Sequence, residues 1–143
     1  MQVRNVVRAM VAGLAATGGL ALAAPVGAPT LAALARIEPG QWQFKPLDSN
    51  AAPRSICIAD PRPLIQFGHG NAQCQHTVLA DDANVARVSY VCPGVGHGQT
   101  SVKVATQRNF NLETQGILSG APFDEQYEAR RTGDCAANAT RLR

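Results

Sequence analysis

The sequence predicts a small, mainly β protein: an antiparallel meander of about six to seven strands forming a curved sheet or small open barrel, with one or two short helices and two disulfides. Three observations lead there. From Gln41 onward apolar residues alternate with polar ones instead of recurring at helical spacing. Turn residues punctuate the chain at short intervals, so consecutive strands are joined by tight connections. Four cysteines, Cys57, Cys74, Cys92 and Cys135, follow a segment that reads as an export signal, and an even cysteine count in an exported domain of this size is a disulfide framework first.

That signal opens the chain. Arg4 and Arg8 form a positive start, Met10 to Ala23 is apolar apart from Thr17, and Ala21-Leu22-Ala23 offers a small-x-small site for cleavage before Ala24. Ala33-Leu34-Ala35, cutting before Arg36, is the alternative site. The stretch is shorter than the roughly 20 residues a membrane span needs. Residues 1–23 are therefore expected to be a signal peptide, and the processed chain a periplasmic or secreted protein that is not an integral membrane protein. Cleavage removes both arginines and lowers the formal charge from +3 to about +1, so most of the basicity belongs to the leader. A nucleic-acid partner that relies on phosphate neutralisation loses its basis.

Residues 24–36 read as a linker running into a short helix, with Thr30 as its N-cap and Leu31, Leu34 and Ile37 on its apolar side, stopped by Pro39-Gly40. Trp42 and Phe44 then share one face of a strand whose other face carries Gln41, Gln43 and Lys45, and Pro46 ends it. Arg54 to Ile58 is a second short strand. Asp60-Pro61 is an N-cap followed by proline at the first helical position, which places Leu64, Ile65 and Phe67 on the buried side of a second helix.

The clearest unit is a hairpin from Gln73 to Cys92 around Asp81-Asp82-Ala83-Asn84. Centring the turn on Ala83 sets Cys74, His76, Val78 and Ala80 opposite Cys92, Tyr90, Val88 and Ala86. A second hairpin runs from Gln99 to Gly116 around Arg108-Asn109, with Val102 and Val104 facing Phe110, Leu112 and Thr114. After Ser119-Gly120-Ala121-Pro122 a last strand alternates Phe123, Tyr127 and Ala129 with Asp124, Gln126, Glu128 and Arg130. The domain spans residues 37–135, and residues 136–143 carry no pattern and are expected as a loose tail.

Four cysteines allow three pairings. A bridge between directly opposed residues of neighbouring strands is geometrically awkward. Cys57 with Cys74 and Cys92 with Cys135 is therefore favoured over Cys74 with Cys92 and Cys57 with Cys135.

Pro39-Gly40-Gln41-Trp42-Gln43, the mid-chain Cys57, the hairpin end Tyr90-Val91-Cys92 and the closing Thr132-Gly133-Asp134-Cys135 together resemble the domain of unknown function 3617 family of small exported proteobacterial proteins. The resemblance covers roughly Ile37 to Cys135. It implies a periplasmic, β-rich, disulfide-bonded domain and brings no activity, ligand or catalytic residue with it. Two Gly-His-Gly triplets depart from the usual pattern.

Those triplets, Gly68-His69-Gly70 and Gly96-His97-Gly98, lie symmetrically about the first hairpin. If its register continued, His69 and His97 would meet at its open end near Cys74 and Cys92, and zinc accepts that ligand set. Oxidised cysteines cannot serve as thiolates, which leaves a weaker site built on His69, His97 and His76, or two histidines held in glycine loops for backbone reasons. Catalytic signatures are absent: there is no Gly-x-Ser-x-Gly elbow, no Cys-x-x-Cys, and Asp81-Asp82 sit where a turn wants aspartate. The expected role is non-enzymatic binding of an envelope component or a small hydrophobic ligand through one face or the mouth of the sheet, with metal binding at His69 and His97 as the alternative. No organic cofactor is expected. Most aromatics belong inward by alternation, unless a cupped sheet leaves several lining a cavity. Arg130-Arg131 with Arg141 and Arg143 could form a small basic end.

Overall fold

The computed structural model describes residues 29–142, so the expected signal peptide lies outside the described residues. Seven strands, β1 (Gly40–Pro46), β2 (Arg54–Ile58), β3 (Gln75–Asp81), β4 (Val85–Cys92), β5 (Gly96–Thr106), β6 (Asn109–Leu118) and β7 (Ala121–Gly133), make one open antiparallel sheet. Their spatial order is β2-β1-β7-β6-β5-β4-β3. From β3 to β7 each strand pairs with the next, as a meander requires. β7 then returns to pair with β1, which leaves β2 and β3 at opposite edges. The chain between those edges must cross a face, and the 3-10 segment Arg62–His69 does so. One face is thereby covered and the other left open.

Alternation decides which residues lie under that cover. Trp42, Phe44, Val88, Tyr90, Val102, Phe110, Leu112 and Ala129 are buried there, closed over by Leu64 and Ile65 from the crossing segment and by Leu31, Leu34 and Ile37 from the N-terminal stretch. The aromatics build the core: Trp42 meets Phe110 at 4.8 Å between ring centroids, and Phe67 stacks on Phe44 at 5.3 Å.

Both expected helices exist only as 3-10 segments. At the first, Leu34–Arg36, Thr30 does not cap; Asp81, at the end of β3, accepts a hydrogen bond from the Ala32 N–H at 2.7 Å instead. Arg36 reaches the carbonyl of Ala83 and the side chain of Asn84, so the hairpin turn latches the N-terminal stretch over the sheet. At the second, Asp60 accepts from the Arg62 N–H at 2.9 Å and pairs with the Arg62 guanidinium. That guanidinium holds the Asp60 carboxyl below its usual range.

The hairpin register holds as expected from Gln75↔Val91 to Val78↔Val88, after which a bulge at Leu79 shifts it by one residue to Ala80↔Arg87. The second hairpin turns at Gln107-Arg108, slightly earlier than expected, and its strands are longer, pairing out to Gly96↔Leu118.

The favoured disulfide pairing is wrong. Cys74 bonds Cys92, with Cα atoms 4.1 Å apart, and Cys57 bonds Cys135 at 5.4 Å. Cys74 stands opposite Cys92, as the register places it, but one residue before β3 begins. There the backbone is free of the ladder and can adjust, which removes the objection to a bridge between neighbours. Cys57 and Cys135 meet because Gln41 at the start of β1 is flanked by Cys57 of β2 on one side and by Gly133 of β7 on the other. Leaving β7, the chain passes β1 and reaches β2 within two residues.

The tail, expected to be loose, is pinned through residue 142. Thr140 and Leu142 take the outward-facing hydrogen bonds of Cys57, forming a short parallel bridge along the outer edge of β2. That edge is thus partly covered by the chain itself.

Candidate functional site

The structure separates the two histidines first considered as metal ligands. His69 ends the crossing segment on the covered face, only 7% exposed. Its Nε2 donates to the carbonyl of Ile117 at 3.0 Å, and its Nδ1 accepts from the Tyr90 hydroxyl at 3.2 Å. A carbonyl can only accept, so this geometry selects the Nε2–H tautomer. His97 lies on β5 next to Gly98, and Gly98 opposes Tyr90 on the covered face. Alternation therefore turns His97 to the open face, where it is exposed between Val91 and Ile117. Cys74 and Cys92 are joined to each other. Among the described residues no group of three or more His, Cys, Asp or Glu is placed to hold a metal ion.

Three of the four triplet glycines are set by close neighbours, whereas Gly70 faces open space at φ +52°. A Cβ on Gly96 would lie 2.8 Å from His69 Nε2 and run into the Ile117 carbonyl, and one on Gly98 would lie 2.5 Å from the Tyr90 hydroxyl. A Cβ on Gly68 would lie 2.5 Å from the Phe123 ring. The glycines form a seat into which His69 and Tyr90 are set, and burial pushes the Tyr90 phenol above its usual value. His69 thus fastens the crossing segment to the sheet.

A cleft of about 460 Å3 opens at the mouth of the covered face, where β2, the end of the crossing segment, β7 and the C-terminal strip meet. Its apolar wall is Ile56, Phe67 and Leu142, and its charged groups are Arg54, Arg141 and Glu125. Arg54 donates to the Tyr127 hydroxyl at 3.1 Å, which in turn donates to Glu125 Oε2 at 3.2 Å. The Arg54 guanidinium also lies over the Phe67 and Tyr127 rings, at 5.8 and 5.4 Å. Burial, followed by the nearby Glu125 carboxylate, raises the Tyr127 phenol above its ordinary value and keeps it a donor.

Ion pairing sorts the other basic residues. Arg130 pairs with Glu128, and Arg131 with Glu38 and Asp134. This neutralises Arg130 and Arg131 of the basic end expected from the sequence, whose Arg143 lies outside the described residues. Among the described residues Arg54 and Arg141 form no ion pair with a carboxylate, so two guanidiniums face the cleft against one glutamate. Hydrogen bonding and ion pairing over an apolar wall are the chemistry the cleft offers. Its lining set of Arg54, Phe67 and Arg141 carries no motif, because it is gathered from β2, the crossing segment and the last described residues of the chain.

The model of the family described as "Protein of unknown function (DUF3617)" matches residues 37–135. The chain belongs to this family. The match begins at the entry to β1 and ends at Cys135, so the DUF3617 domain comprises the sheet, its crossing segment and both disulfides. No curated protein and no solved structure matches the chain.

Proposed function

We propose that this DUF3617 protein is a periplasmic or secreted, non-catalytic binding domain that takes a small amphipathic ligand, an apolar body with an anionic head, in the cleft between Arg54 and Arg141. The cleft carries the reading: two guanidiniums without a carboxylate partner among the described residues stand at its rim, and Ile56, Phe67 and Leu142 form its wall. A carboxylate or phosphate head would complete the pairing that Arg54 and Arg141 lack, while the wall would take the tail out of water. Export is supported by the leader-like residues 1–23 and by both disulfides, which persist in oxidising compartments. No helix among the described residues is long and apolar enough to cross a membrane.

The test is a titration of the oxidised protein with dodecanoate, followed by displacement of the anionic fluorophore anilinonaphthalene sulfonate, with dodecanol as the uncharged control. Dodecanoate should displace the dye, dodecanol should do so at least about tenfold less well, and Arg54→Gln with Arg141→Gln should erase the difference. Equal competition by acid and alcohol in the unaltered protein would sink the reading.

A further inference from the structure

The open face of the sheet carries a second concavity, remote in chemistry from the cleft. Across β4 to β7 the register lines up Arg87, Ser101, Glu113 and Gln126 in one row, and Gln99, Gln115 and Asp124 in the next. Ser101 is the short side chain among long ones, and a hollow of about 170 Å3 opens there, lined by these residues and Thr114, with no aromatic residue. Ser101 is only 7% exposed, and its hydroxyl is buried without a hydrogen-bond partner. Buried hydroxyls in folded proteins are normally paired. Elsewhere in this sheet the rule is kept, as Thr100 and Thr114 bond each other at 2.9 Å on the covered face. The unpartnered hydroxyl beneath this polar hollow is hydrogen-bonding capacity that the neighbouring described residues leave unused.

The charges around the hollow nearly cancel. Lys103 pairs with Glu113 at 3.3 Å, which leaves Arg87 and Asp124 as opposite charges on separate strands. Neither an anion nor a cation gains from such a site. The three glutamine amides and the serine hydroxyl both donate and accept, as the hydroxyls of a sugar do. We infer that the open face holds a binding site for one neutral pyranose ring, with Ser101 at its floor, Gln99, Gln115 and Gln126 as hydrogen-bonding walls, and Arg87 and Asp124 as flanking charge-assisted partners. The ring is either a free hexose or a residue of an envelope glycan. Lacking an aromatic platform, the site binds with a dissociation constant of about a millimolar.

The experiment is an amide chemical-shift titration of the oxidised protein with glucose, with maltotriose, and with inorganic phosphate and choline as charged controls. Saturable shifts at Gln99, Ser101 and Glu113 with glucose or maltotriose are expected, and tighter binding of maltotriose assigns the ring to a glycan chain. Ser101→Val, which suits a strand and removes the hydroxyl, should weaken the sugar at least about tenfold without lowering the melting temperature. Arg87→Gln, at an exposed position, should weaken it several-fold and tests the site independently of the strand interior. Absence of saturable shifts with both sugars, equal affinity in Ser101→Val, or equal saturation by phosphate or choline overturns the inference. Arg54→Gln with Arg141→Gln should leave the sugar titration unchanged, so this site and the cleft stand or fall separately.

Discussion

Replacing His69 by alanine tests the main internal fastening of the fold. The imidazole fills the space above Gly96, between the Tyr90 and Phe123 rings at 5.1 and 5.6 Å, and satisfies the Ile117 carbonyl. Truncation empties that space and strips a partner from two buried polar groups. A void of this kind and the lost pairing together cost about 3 kcal/mol. For a domain of roughly a hundred residues that lowers the melting temperature by about 12 °C. His69→Phe keeps the volume and loses only the hydrogen bonds, so about half that drop is expected. The assay is thermal unfolding of the oxidised protein by circular dichroism, with and without a chelator. A melting temperature for His69→Ala within about 2 °C of the parent would refute the fastening. A chelator that destabilises the parent and spares the variant would instead make His69 a metal ligand.

Other expectations follow from the same geometry. Gly98→Ala drives a Cβ to 2.5 Å from the Tyr90 hydroxyl and 2.8 Å from the Gln115 carbonyl, for about 2 kcal/mol of overpacking. Gly133→Ala meets nothing within 4 Å and should melt with the parent; equal melting temperatures for the two variants would contradict the glycine seat. Peptide mapping should recover Cys57–Cys135 and Cys74–Cys92 linkages. Replacing both cysteines of the first pair by serine should cost about 1 kcal/mol more than replacing both of the second, since it opens a loop of 78 residues against 18, an order that chemical denaturation measures. Burial holds His76, bonded to Gln66 at 2.7 Å, below its ordinary pKa. Its unfolded form therefore takes the proton first, and the stability it contributes, full above about pH 6.5, falls as pH drops toward its folded pKa. His76→Gln should flatten melting temperature between about pH 7 and 5, a window above the one in which Asp60 acts; an unchanged slope would contradict this role.

Much of the sheet is legible in the sequence where one face is wet and the other dry. Trp42 and Phe44 against Gln41, Gln43 and Lys45 place β1 correctly, and Ala83 as the turn centre gives the register of β3 with β4 as far as the bulge at Leu79. That register also puts Cys74 opposite Cys92, yet the geometry of paired strands argues against the bond. Only the strand boundary, which begins at Gln75 and frees Cys74, resolves the conflict. The histidines mislead for a related reason. If β5 starts at Gln99, His97 can turn either way in a loop; because it starts at Gly96, parity fixes His97 on the open face and leaves Gly96 and Gly98 beneath His69 and Tyr90. The cleft is the least legible feature. Arg54, Phe67 and Arg141 meet only because the chain crosses the sheet from β2 to β3 and the tail returns to β2, and no local pattern encodes either path.

The cleft between Arg54 and Arg141 is proposed to bind an amphipathic anion. Native mass spectrometry of the protein recovered from the periplasm, in parallel with Arg54→Gln, Arg141→Gln protein, tests it most directly. The parent should carry a bound mass that organic extraction releases as an acidic amphiphile, and the double variant should lack it. A parent that carries no adduct and gains none with added dodecanoate, or an adduct equally retained by the double variant, would contradict it.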